Sequence, residues 1–354
     1  MEIKHIYWFS YFNLKEPSVR YRAKYPLEYF KKEYGITYSI VYPGYDFKNF
    51  SHFLLTFFSV LFFRKNNSII VFQKIFTNGI YTNALKFLLF CRPNNTLYDI
   101  DDAEYTRRPA GAMHHFMKKC SICAAGSQSI MYYITPFNKN VFFSTSPVID
   151  HGFFKTKLHE SLTIGWIGYY GAHRPSLTQL FFPALIKIDF PVKLIVMGVV
   201  NETEEIKSYF SHNPNITIEA PLNIDWLDEN LVYETISTFD IGVSPLNDTD
   251  FNRGKSAFKL KQCLSCGVPV LGSSIGENRR YLQDGINGYF CDSPEEYIEK
   301  IFLLKNEIEL GQTLSQNASA TFPAFSIQSY CEAFLKNISI LNDSYLRNKD
   351  NYAN

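Results

Sequence analysis

Short runs of consecutive apolar residues alternate along this chain with longer stretches whose apolar positions recur every three or four residues. The pattern is clearest in the second half. Leu162–Gly168 (LTIGWIG) reads as a buried strand and runs into the glycine loop GYYGAHR. Pro175 then opens a helix whose Leu177, Leu180, Phe181, Ala184, Leu185 and Ile188 share one face. Further strands are predicted at Val192–Gly198, Ile216–Glu219, Ile241–Leu246 and Val268–Ser273, with helices at Glu229–Thr238 and Ser256–Ser265 between them. Ser293, Pro294 and Glu296 supply an N-cap, a first-turn proline and a capping-box glutamate for one more helix.

The first half alternates too, with strands predicted at Ile3–Phe9, Thr37–Val41, Ser68–Phe72, Thr96–Ile100 and Val141–Phe143. The polar stretch His151–Ser161 separates the halves, and no internal repeat appears. A helix over about Ile327–Leu341 has no strand after it, and a frayed tail is expected from Asn342. Alternation of this period predicts an α/β chain with two doubly wound parallel sheets, residues 1–155 and 156–322, followed by a C-terminal helix and tail, 323–354. Open parallel sheets bind ligands beyond the carboxyl ends of their strands, so two of them facing a cleft would place function in the loops after strands.

Composition narrows this picture. A length of 354 residues suits two domains, and 46% hydrophobic with 19% charged residues describes a folded chain. A net charge of +1 excludes a global field for nucleic acid, so an anionic ligand must be held locally. The seven cysteines lack zinc-like pairs and read as buried thiols of a reducing, cytoplasmic compartment. No basic region followed by a long apolar stretch opens the chain, so no leader is expected. The most apolar run, Phe53–Phe63, is roughly half the ~20 residues of a bilayer crossing. It reads as a helix buried against a sheet, with peripheral contact to an inner membrane face as the alternative.

Candidate chemistry concentrates between Asp240 and Phe290. The strand at 241–246 leads through a polar loop into a helix that starts near Ser256, whose N-terminus suits a diphosphate. Lys255 stands at that entrance, and Lys259 and Gln262 share a helix face, while Lys261 suits a solvated face. Gly272–Gly276 forms a loop of small residues open to backbone contact.

Gly254, Lys255, Phe258, Lys259, Leu260, Gln262, Gly267, Pro269, Val270, Ser273 or Ser274, Gly276 and Asn278 form a block that resembles the donor-binding domain of family 4 glycosyltransferases. Asp284-Gly285, Asn287-Gly288-Tyr289 and Gly165–Gly168 extend the resemblance. The first half matches more loosely, at Ser18–Arg22, Phe72–Lys74 and Tyr98–Ala103. The resemblance implies the GT-B fold, two Rossmann-like domains facing a cleft, with the C-terminal helix crossing back to the first. It implies transfer of a sugar, of hexosyl type and with retention, from a nucleotide-sugar to a glycan or lipid-linked acceptor in surface polysaccharide or lipopolysaccharide assembly. No metal or other cofactor and no nucleic acid partner are implied. Donor contacts would fall on Gly168, Arg174, Lys255, Lys259, Gln262, Ser274, Gly276, Glu277 and Asn278.

The chain departs from the family at Gly254 and Gln262, where many members carry two glutamates, and Gly254 cannot replace an acid. Asp99, Asp101 and Asp102 leave three readings open: a metal site, an acceptor-side base on Asp101 or Asp102, or a structural role in which one Asp caps the next helix while another pairs with Arg107 or Arg108. Arg20 and Arg22 suit either an anionic acceptor or a salt bridge to Glu16 or Glu28. Arg174 reads as a phosphate ligand or an exposed loop cation. Tyr169 and Tyr170 are expected to wall the cleft, Trp166 to lie in the core, and His114 and His115 to be ordinary packing residues. The competing readings are a non-catalytic nucleotide-sugar or glycan-binding relative and a GT-B nucleotide-sugar epimerase.

Overall fold

The computed structural model describes residues 3–44, 46–155 and 161–351, with side chains as far as residue 339. The chain divides into two compact units, one of residues 1–149, 253–256 and 325–354 and the other of residues 150–252 and 257–324. Part of the expected join, 156–160, lies outside the described residues.

The first unit is built on a six-stranded parallel sheet of β1 (His5–Ser10), β2 (Thr37–Val41), β3 (Ser68–Gln73), β4 (Thr96–Ile100), β5 (Ile122–Ala125) and β6 (Val141–Phe143), in the order β2-β1-β3-β4-β5-β6. Every residue of β3 and β4 is buried, which is why these strands read as continuous apolar runs instead of alternating ones. On one face the helix Tyr25–Tyr34 and the last helix, Ile327–Asn351, close a core of Trp8, Leu27, Phe30, Ile69, Val71 and Phe334. The last helix therefore returns to the first unit as expected. It runs on through Asn342 to Asn351, where a frayed tail had been expected. Phe72, Tyr98 and Phe116 pack together within the unit, with ring centroids 5.1 and 5.6 Å apart.

The helix expected to be buried at Phe53–Phe63 instead spans Phe47–Phe63, and its buried residues are Thr56, Phe57 and Val60. Asp46 caps it by accepting from the Asn49 N–H at 2.9 Å. Strand β5 was not anticipated.

The second unit carries another six-stranded parallel sheet: β7 (Leu162–Ile167), β8 (Val192–Met197), β9 (Ile216–Glu219), β10 (Ile241–Ser244), β11 (Val270–Gly272) and β12 (Gly288–Phe290), ordered β12-β11-β10-β7-β8-β9. This is the strand order of dinucleotide-binding sheets, with its reversal between β7 and β10. The helix after β7 begins at Tyr170, not Pro175. Pro175 lies inside it, at its sixth residue, and a π-helical turn follows at Leu177–Phe181. The capping box at Ser293, Pro294 and Glu296 forms as expected.

Candidate active site

In the second unit the chain crosses its own strand ends on glycines. Gly168 follows β7 at φ +149°, and Gly198 follows β8 at φ +99°. The Gly168 N–H donates to Met197 O at 3.0 Å and the Tyr170 N–H to Gly198 O at 3.1 Å, so the two turns are bonded together. A Cβ on Gly198 would overlap the Gly168 carbonyl oxygen, and one on Gly168 would overlap Cε and Nζ of Lys259. Glycine is needed at both places for backbone conformation, and at Gly198 for space as well, since there the obstacle is backbone.

Lys259 therefore sits against the backbone of the first turn at the reversal point. Its Nζ lies 4.8 Å from the centre of the Trp166 ring, and Trp166 is itself core, as expected. The lysine belongs to the helix Phe258–Ser265, which begins two residues later than expected. Ala257 precedes it in the left-handed conformation (φ +54°), and no side chain caps the first turn. Positive dipole end, ammonium and glycine backbone thus converge beyond the carboxyl end of β7, which suits an oxyanion. Gln262 is buried on the same helix. Lys261 is a correction: it is fully buried, not solvated, with Nζ 5.0 Å from the Tyr281 ring centre.

The loop after β11 is tied down by its own polar groups. The Ser274 N–H donates to Asp292 Oδ1 at 2.8 Å, Gly276 adopts φ +58°, and Glu277 accepts from Arg280 at 2.8 Å. Asn278 is buried and bridges two strand ends, donating to Ser273 O at 3.0 Å and Ser244 O at 3.3 Å. Its Oδ1 is buried and makes no hydrogen bond among the described residues. Arg174 is exposed and pairs with Glu205 at 2.8 Å. Tyr169 is exposed. Tyr170 is core instead of a wall residue, donating its hydroxyl to the same Glu205 at 3.0 Å. Sequence reasoning missed Trp226, whose ring edge lies 3.3 Å from where a Gly198 Cβ would stand. No local pattern marks it, because it sits in the irregular segment between β9 and the helix Glu229–Ser237.

The first unit holds a compact charge network around β3 and β4. Arg22 is fully buried and bidentate on Asp99, with Nε 2.9 Å from Oδ2, and its Nη1 donates to Ser144 O at 2.6 Å. An anionic acceptor cannot use it: each guanidinium nitrogen is already engaged, and no partner is Glu16 or Glu28. Burial opposes its charge, but Asp99 outweighs that and holds the guanidinium ionised. Arg20 is buried too and donates to Lys15 O at 2.6 Å.

Lys74, at the end of β3, is held in the left-handed conformation (φ +53°) and bridges Asp101 and Asp102, each at 2.9 Å. Asp102 also receives Lys255 at 3.0 Å. The partners of the acidic triplet are thus Arg22, Lys74 and Lys255, not Arg107 or Arg108. Burial works against ionisation of Asp102, yet the Lys255 and Lys74 ammonium groups hold its carboxyl well below the usual carboxylate range. Residues 253–256, which carry Gly254 and Lys255, belong to this first unit. Among the described residues no group of three His, Cys, Asp or Glu side chains is arranged to hold a metal ion.

Residues 162–306 match the family model described as Glycosyl transferases group 1. No curated protein matches the sequence. Among solved structures, HepE of Anabaena, crystallised with UDP and glucose, is 11% identical over 96% of this chain and 100% of its own, with a TM-score of 0.66. Sucrose-phosphate synthase of Thermosynechococcus elongatus is 10% identical over 96% and 100%, with a TM-score of 0.69. A glycosyltransferase of Rickettsia africae is 12% identical over 96% and 98%, with a TM-score of 0.67. At such identities the likeness establishes the fold, the GT-B arrangement of two parallel-sheet domains.

Proposed function

We propose, from the premise that residues 162–306 form a glycosyl transferases group 1 domain, that this chain moves a sugar from a nucleotide-sugar donor to a glycan or lipid-linked acceptor. The observation that carries this reading is the Lys259 ammonium lodged against Gly168 at the reversal between β7 and β10. A departing nucleoside diphosphate needs such a fixed cation and a helix start aimed where its charge develops. Lys259 would meet the diphosphate, with Lys255 as a second cation. Gln262 would hydrogen-bond the ribose, and Gly276 and Ser274 would offer backbone contacts. UDP is a reasonable first probe, because HepE binds it in the crystal.

The finer reading is a hexosyl transfer with retention, in surface polysaccharide or lipopolysaccharide assembly, without a metal and in the cytoplasm. Support for that setting comes from seven cysteines, none of them in a disulfide. Asp101 or Asp102 would take the acceptor proton.

A second reading has its own support. Both of those acids are ion-paired to lysines, and the position of one family glutamate is Gly254, as expected of a relative that binds donor or glycan without turnover. Thermal-shift screening with UDP-, GDP-, ADP- and CMP-sugars, followed by transfer assays on the stabilising donor, separates the two. Stabilisation with transfer supports the enzyme, stabilisation without transfer to any acceptor supports the binder, and no stabilisation by any nucleotide-sugar refutes both.

A further inference from the structure

A face of the first unit is apolar where it meets water. In the helix Phe47–Phe63, Leu55, Phe58 and Phe62 follow i, i+3, i+7 spacing and form a stripe away from the buried Thr56, Phe57 and Val60. Leu55 is 72% exposed and Phe63, at the helix end, 79%. The Phe58 and Phe62 rings stack on each other, 6.1 Å apart and 8° from parallel, and neither is in the core.

The helix Ile80–Cys91 packs beside it and turns Leu85, Leu88 and Leu89 inward. It leaves Phe87 and Phe90 outside, Phe90 at 83% exposure. Side chains of this size offer about 150–250 Å² each, and these six, between 48% and 83% exposed, leave roughly 600–1,000 Å² in water, more than the apolar patch usual on a soluble monomer.

The charge of the same segment says what the face meets. Between Phe47 and Tyr98 there is no Asp or Glu, although the whole chain holds 34 of them against 35 Lys and Arg. The segment carries Lys48, Arg64, Lys65, Lys74, Lys86 and Arg92. Lys74 is committed to Asp101 and Asp102, Arg64 to the carbonyls of Ser68, Asn94 and Asn95, and Arg92 to that of Leu61, which leaves Lys48, Lys65 and Lys86 for the headgroups. A second copy of this face would bring like charges together. An anionic lipid surface uses both features, since phenylalanines enter the interface while Lys and Arg meet the headgroups. Among the described residues no helix is long and apolar enough to cross a membrane, so the helices would lie in the surface plane.

We infer that the face formed by the helices Phe47–Phe63 and Ile80–Cys91 seats this protein on an anionic lipid bilayer. The inference stands apart from sugar transfer and is tested without a donor. Cosedimentation of the full chain is measured with phosphatidylcholine vesicles with and without phosphatidylglycerol. Binding is expected only with phosphatidylglycerol. Lys48→Gln and Lys65→Gln should each weaken it about 5-fold, the loss for one basic group near an anionic surface. Phe62→Ser/Phe63→Ser/Phe90→Ser should weaken it more than ~10-fold with Tm unchanged, because these side chains are already in water. Equal partition into neutral and anionic vesicles would overturn the inference, as would undiminished binding of the triple serine variant. A concentration-dependent dimer abolished by the same serines, with no vesicle binding, would also overturn it by assigning the face to a second copy.

Discussion

Gly168 and Lys259 can be tested as one device. Gly168→Ala places a methyl group in the space of the Lys259 tip, on a backbone at φ +149° that L-residues rarely adopt. The lysine tip is flexible and can swing aside, so the steric part is cheap. The backbone strain is not, and at about 1–3 kcal/mol it should lower Tm by roughly 2–12 °C. Moving the tip takes the ammonium off Trp166, where it now lies 4.8 Å from the ring centre. If that ammonium meets the donor diphosphate, losing one charge-assisted contact of about 1.5–3 kcal/mol weakens affinity roughly 10- to 150-fold. Lys259→Met separates the two effects, keeping an apolar stem over Trp166 without backbone strain. It should cost little Tm and the same affinity. Isothermal titration with UDP, or with whichever nucleotide stabilises the protein most, completes the cycle. The double variant should bind no worse than the weaker single variant, since both remove one ammonium. Affinity losses that multiply, or a Lys259→Met protein that binds like wild type, would refute the reasoning.

Lys255→Ala should lower kcat/KM ~10- to 100-fold, the loss of one charge-assisted contact. Asp102→Asn, which releases Lys255 from its pair, should leave KM for the donor unchanged or lower while kcat collapses if Asp102 is the base; unchanged kcat excludes that role. Arg22→Met leaves Asp99 buried without its cation and should destabilise the first unit by about 3–5 kcal/mol in urea unfolding, with Asp99→Asn in the same chain restoring part of it. His151 is pushed down from 6.5 to about 4 by burial, so the folded state prefers its neutral form. Its contribution to stability is full above pH 6.5 and falls away as pH drops toward 4, because the buried ring must then carry a charge out of water. An NMR titration placing the His151 midpoint near 6.5 would contradict this.

The alternation of elements was legible because buried parallel strands such as Thr96–Ile100 are continuous apolar runs, and the less buried edge strands Thr37–Val41, Val141–Phe143 and Ile216–Glu219 also emerged with their observed bounds. Strand β5 did not, since Ile-Cys-Ala-Ala has little of the β-branched signal and is equally at home in a helix. Strand β12 was hidden by the turn signal of Asp284-Gly285 before it. Pro175 was taken as a helix start because proline is favoured in the first turn. The true start at Tyr170 has no capping side chain to mark it in the sequence. Lys261 shows the limit of charge as a guide to exposure, since a buried ammonium can lie over a tyrosine ring within the unit. The acidic triplet was visible, but its partners were not. Arg22 lies 77 residues from Asp99, and only the parallel register of β1, β3 and β4 brings such positions together.

That network also constrains what the first unit can do. Arg22, Lys74 and Lys255 balance Asp99, Asp101 and Asp102 charge for charge, so the cluster as it stands has no net field for an anion. A general base works best with a pKa near the operating pH, and a carboxylate flanked by two ammonium groups is far from it. Burial alone would raise Asp102, and the two lysines suppress that rise. Any proton-accepting role for Asp102 therefore requires a cation to leave first. Lys74 is not that cation, because it is fixed by a second carboxylate and by its own strained backbone.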